Sequence, residues 1–153
     1  EEAKILIENA VKIIDVGGKG GTNFLAIENI RNKDEALQNL ENWGIPTPAS
    51  LVEVVQTVKN KADVISSGGL KNGLDASKSL ALGAKAVGYA GTFLKILSKE
   101  GPTALSNYID QIKKELIYSM AMAGAKNIVE LQKRPKIITG STREWLKNRG
   151  FIS

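Results

Sequence analysis

The fold of this chain is constrained most by two short apolar runs. Each run ends in small residues, and one helix-length segment lies between them. The runs are Asp63–Ser66 and Ala86–Tyr89, and they are followed by Gly68–Gly69 and by Ala90–Gly91. The segment from about residue 72 to residue 82 separates them. Strands that alternate with helices through short connections are typical of parallel sheets with helices packed outside. We therefore expect a β-α-β unit whose two strands end in small residues at the same edge.

Small residues at the ends of two neighbouring parallel strands are typical of a phosphate site. Where side chains are absent, main-chain N–H groups can come close to a charged ligand, and a helix that begins just beyond adds the positive end of its dipole. In a (β/α)8 barrel, the loops after the last two strands often bind phosphate in this way. We expect that a side chain at the glycines of either pair would push a phosphate away. Glycines that serve only as turns are the alternative.

A third strand is predicted at residues 12–16, directly before a glycine-rich stretch. Four of the five residues from Gly17 to Gly21 are glycine. Each of them would cost a helix about 1 kcal/mol relative to alanine, so the stretch is predicted to be a loop at the carboxyl end of the strand. Residues 23–44 are then expected to form a long loop of the active-site type, with a short helix near residues 35–42.

Apolar stripes and capping residues predict helices in the remaining segments. Thr47 is expected as the N-cap of one helix with Pro48 in its first turn, and Ser141 as the first residue of the last helix. The other helices are expected before residue 11, at 93–97, at 102–124 and at 127–133. A closed (β/α)8 barrel needs eight strands and roughly 250 residues, so the three predicted strands indicate under half of one.

The composition excludes several kinds of chemistry. The chain has no cysteine and no histidine. Disulfides, thiolate metal sites and cysteine nucleophiles are therefore excluded, and acid–base work needs carboxylates, Lys, Tyr or a bound cofactor. The net charge of +5 comes from scattered residues, which is weak support for a nucleic-acid surface and suits a small phosphorylated substrate equally well; lysines on a solvated surface are the favoured alternative. No apolar run is long enough to cross a membrane, and we expect a cytoplasmic protein.

Four segments together resemble one enzyme family. They are DVGGKGGTNFLAIENIR (Asp15–Arg31), WGIPTPASL (Trp43–Leu51), SSGGLKNGLDASKSLALGAKAVGYAGTFLK (Ser66–Lys95) and AGAKNIVELQK (Ala123–Lys133). In combination they are similar to type 2 isopentenyl-diphosphate delta-isomerase. The resemblance implies an α/β fold, a (β/α)8 TIM barrel, of which this chain covers about the sixth to eighth βα units plus the C-terminal helices. Residues 1–153 are then expected to be the C-terminal portion of a single FMN-binding barrel domain, with the N-terminal half absent from the chain.

The resemblance also implies an activity. The family interconverts isopentenyl and dimethylallyl diphosphates in isoprenoid biosynthesis and uses FMN, NADPH and Mg2+. Reduced FMN is the acid–base element, which fits a segment without histidine because the cofactor carries the chemistry. The expected partners are a small-molecule diphosphate and further copies of the chain, as a tetramer or octamer, with no nucleic acid and no membrane.

Particular residues match the cofactor-binding motifs of the family. By this resemblance, FMN contacts Thr22, Gly68, Gly69, Leu70, Ala90 and Gly91. The alternative role for Thr22 is the N-cap of a following helix. By the resemblance, Glu28 either approaches the flavin or the substrate and assists proton transfer, or it is a surface carboxylate that stabilises its loop, so no catalytic residue is assigned. The substrate-binding and Mg2+-binding residues of the family belong to its N-terminal half, so no metal ligand is assigned and the segment alone is expected to be inactive.

Two other functions fit the phosphate loops. One is that of another FMN-dependent TIM-barrel enzyme, such as a relative of 2-hydroxy-acid oxidases or dihydroorotate dehydrogenases. The other is a non-catalytic half-barrel that binds phosphate. The combination of the glycine loop with the Ile27–Asn29 element favours the isomerase over both.

Overall fold

A parallel sheet organises the chain. The computed structural model describes residues 1–33 and 35–153, and within them three strands form one sheet in the order β1-β2-β3. The strands are β1 (Ile13–Asp15), β2 (Asp63–Ser66) and β3 (Ala86–Val87). Both pairings are parallel. Ile14 lies opposite Val64, and Ile65 lies opposite Ala86. The three predicted strands are confirmed, although the first and the last are shorter than expected.

Helices surround this sheet. They are α1 (Glu2–Glu8), α2 (Phe24–Asn32), α3 (Glu35–Leu40), α4 (Thr47–Val58), α5 (Gly73–Ala81), α6 (Gly91–Met122), α7 (Ile128–Lys133) and α8 (Gly140–Asn148). Helix α5 connects β2 to β3, as the β-α-β pattern predicts. None of the helices in the described chain combines the length and the hydropathy that a membrane span requires.

The apolar core lies on one side of the sheet. Ile14 of β1 and Val64 of β2 pack with Leu51 and Val58 of α4, all of them buried. The neighbouring residue of β1, Ile13, points the other way and is 60% exposed. Successive side chains of a strand face opposite sides of a sheet, so the described helices cover one face of β1 and leave the other open.

The last helix is anchored to α4 by one carboxylate. Glu53 of α4 accepts a hydrogen bond of 2.7 Å from the Trp145 indole Nε1 of α8 and pairs with the Arg149 guanidinium at 3.2 Å. The Glu53 carboxylate raises the pKa of Arg149, which therefore stays charged. Leu146 between them is completely buried, so α8 belongs to the packed body of the chain.

Residues 23–44 differ most from the prediction. The expected long loop with one short helix contains α2 as well as α3, and the Asn23 side chain caps α2 by accepting a hydrogen bond of 3.1 Å from the Ala26 N–H. Asn29 donates to the Glu41 carboxylate at 2.8 Å and so ties α2 to the segment after α3. The mixed charges of this segment gave no helical pattern for α2. The hydrogen-bond partner of Asn29, Glu41, lies outside the helix.

Two further boundaries are corrected by capping geometry. Pro46, not Thr47, holds the N-cap position of α4, and the Thr47 hydroxyl points to another segment instead. Helix α8 begins at Gly140 with Thr139 as its N-cap, so Ser141 lies inside its first turn. The predicted helices at 93–97 and 102–124 are the two arms of α6, which is kinked at Gly101 (φ 85°, ψ 179°) next to Pro102.

Candidate functional site

The carboxyl ends of the three strands open into one cleft, which we call the strand-end cleft. Three loops line it: the first loop (17–22) after β1, the second loop (67–71) after β2 and the third loop (88–92) after β3. Its volume is about 1010 Å³. The residues predicted from the sequence to contact FMN all lie along it: Thr22, Gly68, Gly69, Leu70, Ala90 and Gly91. The fold therefore brings together positions that are up to 69 residues apart in the chain (91 − 22 = 69).

The first and second loops pack backbone against backbone. A Cβ atom on Gly68 would lie 2.1 Å from the Gly18 carbonyl oxygen, and one on Gly69 would lie 2.2 Å from that of Gly20. Both residues also have φ between +83° and +106°, which side chains disfavour. The expectation that a side chain here would act mainly by repelling a phosphate is therefore wrong. Such a side chain would first collide with the neighbouring loop.

Gly91 in the third loop is different. It is the first residue of α6, and a Cβ atom built on it would have no heavy atom within 4 Å. The packing of the described chain therefore does not require glycine at this position. The space that a side chain would fill belongs to the cleft, where a ligand can approach the backbone.

The start of α6, rather than that of α5, offers its dipole to the cleft. Helix α5 is already capped by its own chain, since the Gly73 N–H donates to the Glu115 carboxylate at 2.6 Å and the Asp75 N–H donates to the Asn72 side chain at 2.8 Å. The N-cap of α6 is Ala90, whose side chain has no acceptor for the first turn. The start of α6 at Gly91 is therefore a helix end that can favour an anion in the cleft.

Two tyrosines hold the end of the second loop. The Tyr108 hydroxyl donates to the Lys71 carbonyl, and the Tyr89 hydroxyl donates to the Asn72 carbonyl at 2.7 Å. Phe93 lies between their rings, stacked on Tyr89 at 5.1 Å and edge-on to Tyr108 at 6.4 Å. Burial, with smaller contributions from Asp75, Tyr108 and Glu115, raises the pKa of Tyr89 to about 12. Tyr89 therefore stays protonated at neutral pH and acts as a hydrogen-bond donor.

Charged side chains also border the cleft. Lys71 and Lys95 bring positive charge, whereas Asp15 and Glu100 bring negative charge. The Asp15 carboxylate is engaged by the loops, because it accepts from the Gly17 N–H at 3.0 Å and from the Ser67 hydroxyl at 2.5 Å. Sequence reasoning missed Lys95. Its position one helical turn after Gly91 was the available signal, because residues four apart share a helix face.

Glu28 lies on α2 and is not among the residues that line the cleft. Its carboxylate accepts from Asn32 at 2.7 Å and lies 3.6 Å from the Arg31 guanidinium, both on the same helix. Of the two roles considered for it, these contacts favour the stabilising surface carboxylate. Thr22 does not cap α2, since Asn23 does.

The model of the FMN-dependent dehydrogenase family matches residues 1–138. The chain belongs to this family. Curated relatives named isopentenyl-diphosphate delta-isomerase are similar to nearly the whole chain: 49% identity over 151 residues in a Geobacillus species, 44% over 150 in Bacillus licheniformis and 37% over 157 in Metallosphaera sedula. These alignments cover 99%, 98% and 99% of the chain, but only 43%, 42% and 42% of the relatives. The resemblance inferred from the motifs is confirmed, and the chain spans less than half the length of these relatives.

Solved structures show the fold of this family member. A mandelate oxidase variant with an FMN monooxide adduct superposes with a TM-score of 0.70 at 20% identity, over 90% of this chain and 38% of that one. A GMP reductase variant from Trypanosoma brucei superposes with a TM-score of 0.66 at 22% identity, over 92% of this chain and 33% of that one. The predicted fold class is thereby confirmed: the parallel sheet and its helices form part of a (β/α)8 barrel.

Proposed function

We propose that this chain is the C-terminal, cofactor-binding portion of an isopentenyl-diphosphate delta-isomerase that uses FMN. The observation that carries the proposal is the convergence of the three predicted loops on one cleft beside the start of α6. The names of the relatives supply the reaction, the interconversion of isopentenyl and dimethylallyl diphosphates. Residues 1–153 would then belong to a single FMN-binding domain whose other strands lie outside this chain.

In this proposal the chain binds the FMN phosphate mainly through its backbone. The N–H groups of Gly69 and Leu70 and those at the start of α6 would donate to the phosphate oxygens, because these groups line the cleft. The dipole of α6 adds a favourable potential, typically 0.3–1 kcal/mol for a charge at a helix end. Lys71 and Lys95 would supply compensating positive charge, and the Thr22 hydroxyl would donate to another oxygen of the cofactor.

The described residues orient the cofactor rather than react with it. Reduced FMN, when bound, supplies the acid–base chemistry that moves the double bond. The described chain has no cluster of three or more His, Cys, Asp or Glu side chains that could hold a metal ion. In the proposal, Mg2+ and most of the diphosphate contacts come from the remainder of the protein, as the resemblance to the family implies, and NADPH reduces the flavin. A cytoplasmic homo-oligomer, tetramer or octamer, is part of the same proposal.

The test uses the full-length protein. FMN binding is followed by the flavin absorption spectrum, and the conversion of isopentenyl diphosphate is measured with oxidised FMN, with FMN reduced by NADPH, and without FMN. We expect dimethylallyl diphosphate only when the flavin is reduced. Equal activity of flavin-free protein under oxidising conditions would contradict the proposal. Flavin reduction by mandelate or another 2-hydroxy acid would instead identify an oxidase, and FMN binding without turnover would indicate a non-catalytic module.

A further inference from the structure

The first turn of α4 contacts both glycine loops through one residue, Thr47. Its hydroxyl donates to the Gly68 carbonyl of the second loop at 2.6 Å, and its backbone N–H lies 3.4 Å from the Lys19 carbonyl of the first loop. Thr47 is only 6% exposed. It lines a second cavity together with Gly68 and Gly69, and it does not line the strand-end cleft.

The junction of these three segments is tight. A Cβ atom on Gly18 would lie 2.4 Å from the Thr47 Cα, and one on Gly68 would lie 2.8 Å from the Thr47 Oγ1. The Lys19 N–H also donates to the Ile45 carbonyl at 2.8 Å, so the chain just before α4 runs beside the first loop. The position of Thr47 is therefore set by the first loop, while its hydroxyl reaches the second.

The hydroxyl has a single proton, and the shorter distance assigns it to Gly68. The distance to the Gly68 oxygen is 2.6 Å, against 3.4 Å to the Lys19 oxygen. The peptide between Gly68 and Gly69 is trans, so its C=O and N–H point in opposite directions. Because the carbonyl points to Thr47, the Gly69 N–H points away from α4. Among the described residues, this N–H has no acceptor, and Gly69 lines the cleft.

We propose that Thr47 is a positioning residue that turns the Gly68–Gly69 peptide so that its N–H faces the cofactor phosphate. The proposal rests on the function proposed above, because it assigns this N–H to FMN. The Thr47 hydroxyl acts on the cofactor only through the peptide that it holds. Its loss frees the peptide to rotate, which removes one aligned donor from the phosphate without changing any residue of the cleft.

The chain offers a matched control on the same helix. The Thr57 hydroxyl also donates to a carbonyl at 2.6 Å, but this carbonyl belongs to Glu53 within α4, and Thr57 does not line the strand-end cleft. In the full-length protein, we expect Thr47→Val to weaken FMN binding about tenfold, as for one lost hydrogen bond. Thr47→Ser, which keeps the hydroxyl, and Thr57→Val should both bind FMN within about twofold of the parent protein.

Two measurements keep the proposal open to refutation. FMN affinity is measured by quenching of flavin fluorescence, and amide hydrogen exchange is measured in the apo-protein at Gly18, whose N–H donates to the Ser67 carbonyl of the second loop at 3.0 Å. Faster exchange of the Gly18 amide in Thr47→Val, but not in Thr57→Val, supports the proposal. Unchanged FMN affinity in Thr47→Val overturns it.

The failure of the proposed function gives a different result. If the parent protein binds no FMN, the cofactor assignment fails and the positioning role toward FMN fails with it. The exchange measurement then still shows whether Thr47 orders the loop. Should Thr47→Val not fold, Thr47→Ala takes its place, because it lacks the hydroxyl and puts no methyl group against the Gly68 carbonyl. The same tenfold loss relative to Thr47→Ser is expected.

Discussion

At the scale of single residues, the lack of a side chain at the glycines of the strand-end cleft has two different physical reasons. Gly68 and Gly69 lack side chains because the neighbouring loop fills the space, with backbone atoms 2.1 and 2.2 Å from where a Cβ would lie. Gly91 has open space instead. Gly17 is also open but has a φ of +47°, which itself favours glycine, so Gly91 is the position where the packing and the backbone angle leave room for a ligand.

Gly91→Ala should therefore separate cofactor binding from stability. Nothing lies within 4 Å of the added methyl group, and alanine is the better helix former, so the melting temperature should stay the same or rise slightly. FMN binding should weaken roughly ten- to a hundredfold, the value of one charge-assisted hydrogen bond. Flavin titration and thermal melting of the full-length variant check this, and unchanged FMN affinity would remove Gly91 from the phosphate site.

Tyr89 predicts a pH dependence. Burial raises its pKa from 10.0 to about 12, so the folded protein holds the phenolic proton more tightly than the unfolded chain does. Its contribution to the free energy of unfolding is complete below about pH 10 and is lost as the pH rises towards 12. We expect Tyr89→Phe to flatten this alkaline decline and to remove one tyrosine that ionises near pH 12 from an absorbance titration.

A matched substitution controls the tyrosine experiment. Tyr118 is exposed, so Tyr118→Phe should leave the alkaline decline as it is. At neutral pH, Tyr89→Phe should lower the free energy of unfolding by about 1 kcal/mol, since the Asn72 carbonyl loses one of its two donors and keeps the Ala76 N–H at 3.3 Å. An alkaline decline that persists in Tyr89→Phe would show that other groups cause it.

At the scale of elements, α6 connects the cleft to the body of the chain. Its first arm begins at Gly91, beside the cleft, and carries Lys95. Its second arm carries Tyr108 and Glu115, which bond to Lys71 and Gly73 around the start of α5. The kink at Gly101 sets the angle between the arms, and residues of both arms, Gly91 and Tyr108 among them, line the cleft.

The kink predicts backbone strain for any residue other than glycine at position 101, although there is room for a side chain. A side chain on Gly101 would meet nothing within 4 Å, but its φ of 85° and ψ of 179° are accessible almost only to glycine. Gly101→Ala should lower the free energy of unfolding by about 1–3 kcal/mol. Gly91→Ala is the control in the same helix, equally open but without positive φ. Equal unfolding midpoints of the two variants in urea would contradict this account.

At the scale of the whole molecule, the sheet is open. Within the described chain, β1 and β3 each pair on one side only. Large apolar side chains are also uncovered, among them Ile13 at 60%, Met122 at 83% and Ile137 at 91% exposed. Unpaired strand edges and uncovered apolar groups favour association with further strands or further chains.

Residues 1–153 expressed alone should therefore not behave as a stable, active monomer. We expect aggregation, a molten state, or association with the missing strands or another copy. Sedimentation and thermal unfolding decide between these outcomes. A monomer with a sharp two-state transition would refute the prediction.

The sequence by itself determined the local elements and the family. The strand at 63–66 is a short apolar run, and the segment after it has the length of a helix, so both are visible in the local sequence. The small residues that follow the strands mark the loops. The motifs around Thr22, Gly68 and Gly91 identify the family because they are contiguous in the chain. Such features depend on residues that are close together in the chain, so the sequence alone predicts them.

Only the tertiary structure decided which groups meet at the cleft. Glu115 caps α5 from 42 residues away, whereas the start of α6 at Gly91 has no side-chain cap. Thr47 bonds Gly68 across 21 residues instead of capping its own helix. Helix α2 also depends on the distant Glu41. Hydrogen bonds between distant residues leave no periodic pattern in the sequence, because the donor and the acceptor become neighbours only when the chain is folded.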